Sequence, residues 1–172
     1  MEDVMIDIET LGTRGTSAIV QIGACYFSRR TGQIGKTFSM NVHVGVLDER
    51  FTRDESTLKW WDEQSEEAKA AVFNNGKPIE TVLKELSSFL KNRAKFLWSH
   101  ATFDIPIICN SYYVLDMHLP MHYKQMRDIR TLLDLAGIGH SNLKREGIHH
   151  NALDDCKFQV QYCVEAFKAL SK

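Results

Sequence analysis

What the sequence lacks narrows it first. It has no basic surplus: 21 Lys and Arg stand against 22 Asp and Glu, for a formal net charge of −1. A protein that coats duplex nucleic acid carries such a surplus, because phosphate neutralisation drives that binding. Any hold on nucleic acid here would therefore be on a few nucleotides rather than a long tract. None of its four cysteines (Cys25, Cys109, Cys156 and Cys163) forms a CxxC pair, and three lie in apolar stretches, so they read as reduced, buried thiols. No apolar run is long enough to span a membrane. The acidic Met1-Glu2-Asp3 leads straight into a strand pattern and does not read as a signal peptide. The expectation is a soluble cytoplasmic protein with no membrane partner. There is no internal repeat, low-complexity tract or linker, so residues 1–172 read as a single domain. At 44% hydrophobic, the chain can bury a core without covalent staples.

What is present is a periodic pattern. Residues 3–9 read as a buried strand with Val4, Ile6 and Ile8 on one face. Strands are expected over 18–28 and 34–43, and Thr31-Gly32 between them predicts an antiparallel hairpin. Helical patterns follow at 56–62, 65–74 and 79–92, then a strand at 95–99. A helix over 104–115 carries Pro106 in its first turn, where proline is tolerated. Residues 119–128 are ambiguous and can hold a short strand. A helix starts near Ile129, a Gly/His/Asn-rich loop covers 137–150, and the last helix runs over 152–170. Three early strands followed by alternating helix and strand predict an α/β layered domain.

Acidic residues supply the chemistry. Asp7 and Glu9 stand at i and i+2 of a strand, so they share a face about 7 Å apart, opposite the apolar Val4, Ile6 and Ile8. Two carboxylates there repel and resist desolvation unless a cation offsets them; the plain alternative is a solvated strand end. Asp104 follows a strand and opens a helix, where capping is the ordinary job of an Asp. In His149-His150-Asn151-Ala152-Leu153-Asp154-Asp155, two H-x4-D pairs overlap. The final helix has an apolar stripe of Ala152, Cys156, Val160, Cys163 and Phe167. At about 100° per residue, Asp155 borders that stripe while Asp154 points away to solvent, near N3 behind an Asn151 cap. That selects Asp155, and His150 with it. Four acids from three segments suit two Mg²⁺ or Mn²⁺ ions, hard cations that take oxygen ligands. Such a pair clamps the attacking and leaving oxygens of a phosphodiester, and a histidine can take the proton of the attacking water.

With these residues the chain resembles the DnaQ-like exonucleases with a D-E-D-D-h site. Asp7-Ile8-Glu9-Thr10 matches their first motif, Phe103-Asp104 the second, and His150-x-Ala152-x-x-Asp155 the third. The likeness covers nearly the whole chain in the right order. Ser56 to Ala68 and Arg127-Asp128-Ile129-Arg130-Thr131 further resemble segments of exonuclease A of T-even phages, in a branch that includes the mycobacterial exoribonuclease RNase AS, and the resemblance implies a phage or prophage member of that branch. The resemblance implies an RNase H-like fold, a central mixed sheet flanked by helices. It implies two-metal hydrolysis of a single-stranded DNA or RNA 3′ end to 5′-mononucleotides, with DNA slightly favoured by the phage-like segment. Asp7, Glu9, Asp104 and Asp155 would be the metal ligands and His150 the general base. Many relatives are homodimers, although no strip of this sequence marks an interface. Relatives carry Asn where this chain has His100, which opens the question of the substrate contact there.

Outside the catalytic set, Trp60 and Trp61 would point about 100° apart on a helix. One would pack while the other, taken as Trp61, stacks a base; both being structural is the alternative. Arg127 and Arg130 are candidates for phosphate contacts, against plain surface solvation. Tyr112 and Tyr113 read as packing. Relatives place backbone and an apolar wedge against the terminal nucleotide at the positions of Leu11 and Gly12. Two other readings compete with an exonuclease of long strands. One is a nuclease-like accessory protein without chemistry, disfavoured because all five expected positions are filled. The other is a hydrolase of short oligonucleotides.

Overall fold

The computed structural model of the chain describes residues 2–45, 49–91, 94–139 and 143–171. Strand β1 (Asp3–Thr10) is buried along its whole length, as is β2 (Ile19–Phe27). Runs without an exposed face belong inside a sheet covered on both sides. β3 (Ile34–Asn41) is mostly exposed and forms one edge. With β4 (Phe96–Ser99) and β5 (Met126–Asp128) these strands form a sheet of order β3-β2-β1-β4-β5. β1, β2 and β3 pair antiparallel, and β1, β4 and β5 parallel, so the sheet is mixed. The expected β2–β3 hairpin forms, with Gly32 at φ 76° in its turn, a left-handed conformation glycine adopts without strain.

Helices cover both faces. Val4, Ile6 and Ile8 pack against α3 (Ile79–Leu90) and α4 (Asp104–Val114), among Leu83, Leu86, Ile107 and Ile108. Met5, on the other face, packs against α5 (Ile129–Ala136) and α6 (Ala152–Leu170). A third, smaller core of Leu11, Ala18, Val20, Phe51, Trp61 and Val72 lies beneath α1 (Glu55–Asp62) and α2 (Glu66–Phe73). All four cysteines are free, three of them buried, as expected. Tyr112 packs and donates its hydroxyl to the Leu83 carbonyl at 2.6 Å, whereas Tyr113 is exposed, against the expectation that both pack.

The short strand in the ambiguous stretch is β5, and its last residue does two jobs. Asp128 caps α5, accepting the Thr131 N–H at 2.8 Å, and its other oxygen accepts the Ala101 N–H at 3.0 Å. That second bond ties down the loop leading into α4. No helix among the described residues is long and apolar enough to cross a membrane.

Candidate active site

β1 carries Asp7 and Glu9 on the face it shares with Met5, and both are buried, 7% and 8% exposed. Asp104 is the first residue of α4, just after β4, and is 1% exposed. Its cap neighbour is Phe103 and no side chain caps that helix, so Asp104 does not spend its carboxylate on capping. β1 and β4 run parallel, which brings their C-terminal ends together, the edge where open α/β sheets hold ligands. The fourth acid arrives on α6, and glycine makes that approach possible. Gly23 pairs with Asp7 across the sheet, and a Cβ there would lie 2.2 Å from the Ala152 carbonyl carbon. Gln21 accepts the Ala152 N–H at 2.7 Å, fastening the first turn of α6 to β2. Asp155 then lines the same open cleft of about 530 Å³ as Asp7, Glu9 and Asp104. A second cleft of about 480 Å³, beside Val42, Phe51 and Pro78, offers one acid, Glu80, and no such convergence.

Ligand atoms in the acid cleft form two groups. Those of Asp7, His100 and Asp104 lie within 4.8 Å of one another, and so do those of Glu9, His150 and Asp155. Burial sets the charge state. It raises Asp7 from an ordinary 3.8 to about 7, against the pull of the Gln159 hydrogen bond (Nε2 to Oδ1, 2.6 Å) and of Arg145. Burial, together with repulsion from Asp7 and Asp104, holds Glu9 well above its usual range. Asp104 is also held well above its range by burial and by Asp7, although the backbone N–H groups of His100 and Ile8 stabilise its anion. Its Oδ2 is buried with no hydrogen-bond partner. A buried acceptor left unmade costs about 1–3 kcal/mol, and clustered carboxylates cannot all ionise without a counter-charge. This donor set fits divalent cations, which would satisfy the open oxygen and relieve the repulsion together.

His150 precedes α6 at φ 59°, a left-handed conformation uncommon outside glycine. Its ring meets Trp60 edge-on at 4.6 Å between centroids, and burial lowers its pKa, helped by the positive charges of His149 and Arg145. At neutral pH the imidazole is therefore unprotonated and ready to accept a proton. Asp154 serves the same loop in another way. Its side chain accepts the Ile148 N–H at 3.0 Å and pairs with Lys157 at 2.8 Å, so it does not simply face solvent as its helical phase predicts. The loop runs back over the helix start: Gly147 sits at φ 88°, and a Cβ there would lie 2.6 Å from the Asp154 carboxyl.

The structure brings Asp7, Glu9, His100, Asp104, Arg130, His150 and Asp155 into one cleft. Gly12 lines an adjoining cleft of about 290 Å³, along with Glu9, Thr10, Phe103 and Trp60. Three sequence assignments fall elsewhere. Trp61 is 3% exposed, donates its indole N–H to the Thr10 carbonyl at 2.9 Å, and packs in the third core; the tryptophan at the surface is Trp60. Leu11 is 3% exposed in that same core, beneath the loop rather than at its tip. Arg127 lies over the Phe96 ring at 4.3 Å and donates from Nη1 to the Lys124 and Met126 carbonyls, outside the residues that line the acid cleft. Sequence reasoning missed Gln159, Tyr162 and Arg145, all of which line the acid cleft. Gln159 follows Asp155 by one helical turn and was legible from that spacing. Arg145 lies in an irregular loop with no period to reveal it.

Comparison with known proteins follows the same line. Residues 2–167 match the family model described as the 3′-5′ exoribonuclease Rv2179c-like domain. No curated protein matches by sequence. Among solved structures, the nuclease domain of 3′hExo, a DEDDh family member bound to rAMP, superposes with a TM-score of 0.71 at 14% identity, over 96% of this chain and 91% of that one. Exonuclease X in complex with 5′-overhanging duplex DNA gives 0.64 at 19% identity, over 99% and 93%. Escherichia coli exonuclease I in complex with a dT13 oligonucleotide gives 0.67 at 12% identity, over 95% of this chain but 40% of that one. The mixed sheet and its helices are thus the RNase H-like fold of DEDDh exonucleases.

Proposed function

The chain belongs to the 3′-5′ exoribonuclease Rv2179c-like domain family, and from that premise we propose that it removes nucleotides one at a time from the 3′ end of single-stranded RNA by two-metal hydrolysis. That it is a 3′-5′ exonuclease follows from the family; the substrate and the mechanism are our reading. The family description favours RNA, against the slight preference for DNA drawn from the phage-like segment. The observation that carries the mechanism is the convergence of Asp7, Glu9, Asp104, Asp155 and His150 in one cleft, with two sets of ligand atoms each within 4.8 Å.

Asp7, Glu9, Asp104 and Asp155 would hold the cations, Mg²⁺ or Mn²⁺. When bound, such ions lower the pKa of the attacking water and offset charge on the phosphodiester oxygens. His150, unprotonated at neutral pH, takes the proton from the water as its oxygen attacks phosphorus. The P–O3′ bond breaks with its electron pair on O3′, which takes a proton from solvent water; a 5′-mononucleotide is released and the shortened strand keeps a 3′-hydroxyl. Trp60, 38% exposed beside Gly12 and Glu9, would stack the terminal base in place of Trp61. Arg130, which lines the acid cleft, would meet a phosphate.

One digestion panel tests this reading: 3′- and 5′-labelled DNA and RNA, single and double stranded, with Mg²⁺, Mn²⁺ or EDTA. Mononucleotides released from the 3′ end of single-stranded RNA, only with metal, are expected. Faster digestion of DNA reverses the substrate assignment. Full activity in excess chelator, or rapid cleavage of a closed single-stranded circle, overturns the mechanism.

A further inference from the structure

Arg145 stands where a cation is expected. Its guanidinium forms an ion pair with Asp155 through Nη2 and Oδ1, lies over the Phe158 ring at 5.3 Å, and lines the acid cleft. The side chain is only 20% exposed. Its Nε and Nη2 are buried and make no hydrogen bond, nor does Asp155 Oδ1, so the pair is a contact of charges. A buried guanidinium donor without an acceptor is costly, which implies that an acceptor is present in another state of the protein. The cleft's carboxylates are ones a divalent cation would claim, and Gln159 Oε1, also buried without a partner, is not bonded to the guanidinium.

We propose that Arg145 is a phosphate-binding residue of the exonuclease site that, without metal, is parked on Asp155 as a substitute counter-charge. The inference rests on the two-metal reading above. A divalent cation held by Glu9 and Asp155 would stand within a few ångströms of the guanidinium and compete for the same carboxylate, so metal entry displaces Arg145. The freed side chain remains held by Phe158 at the cleft wall. Its planar fork, Nε–H included, then faces the space where a nucleotide phosphate must sit for His150 to act. Arginine binds phosphate in this bidentate manner, and lysine, a point charge, does not reproduce it. The arrangement couples the two ligands in order: metal first competes with Arg145, and substrate phosphate then recruits it.

The consequence is a pair of effects of opposite sign. Arg145→Met keeps the apolar stem over Phe158 and removes the charge. Calorimetry with Mn²⁺ alone should show the variant binding metal about tenfold tighter than wild type, the scale set by losing one charge-assisted competitor. With saturating Mn²⁺, binding of a nucleoside 5′-monophosphate should weaken about tenfold, while binding of the corresponding nucleoside stays the same. Arg145→Lys should restore competition with Mn²⁺ but not monophosphate affinity. A residue that merely braces the loop would lose both affinities together when replaced. Equal Mn²⁺ affinity in wild type and Arg145→Met, or unchanged monophosphate binding, overturns the inference while the metal reading stands. If neither wild type nor variant binds Mn²⁺, the two-metal reading itself fails, and this inference with it.

Discussion

One strand carries buried acids at both ends, and they live differently. At the start of β1, Asp3 is 7% exposed and fully partnered: Arg29 holds both its oxygens, and the Trp98 indole N–H donates to Oδ1 at 2.9 Å. At the end of β1, Asp7 and Glu9 are equally buried but crowded by one another and by Asp104, with far fewer donors. Asp3 is an acid the fold has neutralised for its own stability. Asp7, Glu9 and Asp104 are acids the fold has brought together and left to an outside charge. Burial alone therefore does not separate Asp3 from Asp7, Glu9 and Asp104; the supply of partners does.

The experiments that follow sharpen or break that contrast. The largest effect is expected from Asp7→Ala or Asp104→Ala, which should abolish cleavage while circular dichroism stays native; near-normal turnover in either would remove that residue from the metal site. His150→Ala should cost about 10²–10⁴-fold, the usual range for a general base. Its residual rate should climb with pH as hydroxide replaces the base, and His149→Ala should be mild. The wild-type acid limb should fall below pH 6.5, because the folded protein lowers the His150 pKa.

Asp3→Ala should instead leave the rate per folded molecule intact and lose roughly 2 kcal/mol of stability in urea melts, since it strands Arg29 and Trp98. In EDTA the far end of β1 should also carry a pH dependence. Asp7 is raised to about 7 in the folded protein, so its unfolded form ionises more readily. Its contribution is fully present below about pH 4 and is lost as pH rises through about 7. The metal-free melting temperature should drop between about pH 4 and 7. Asp7→Asn should flatten that drop, and added Mn²⁺ should reverse it; a wild-type melting temperature that rises with pH would contradict the assignment. The smallest effect is expected from Asp154→Ala, about 1 kcal/mol of stability with activity largely kept, because it loosens the helix start and the Ile148 contact.

Local pattern made most of the architecture legible. The unbroken apolar face of Val4, Ile6 and Ile8, the Thr31-Gly32 turn and the Asn151 cap each appear where periodicity and turn chemistry put them. The phase of α6 separated Asp155 from Asp154, because an angle on a helix is a property of sequence spacing alone. Exposure on α1 was not legible. Trp60 and Trp61 diverge by one residue, and which of them turns inward depends on a core built from Leu11, Val20, Phe51 and Val72, far apart in the chain. The setting of Arg127 was not legible for the same reason, since the Phe96 ring it lies over belongs to another strand.

What the sequence determined by itself is therefore the order of elements and the identity of the acids, since both follow from short-range spacing of side chains along a regular backbone. What only the tertiary structure decided is which groups end up sharing charge. Gly23 lets α6 settle on β2 and carry Asp155 to Asp7, and the loop before α6 lays Arg145 into the same cleft. Electrostatic coupling acts through space over a few ångströms, and no spacing along the chain encodes those distances.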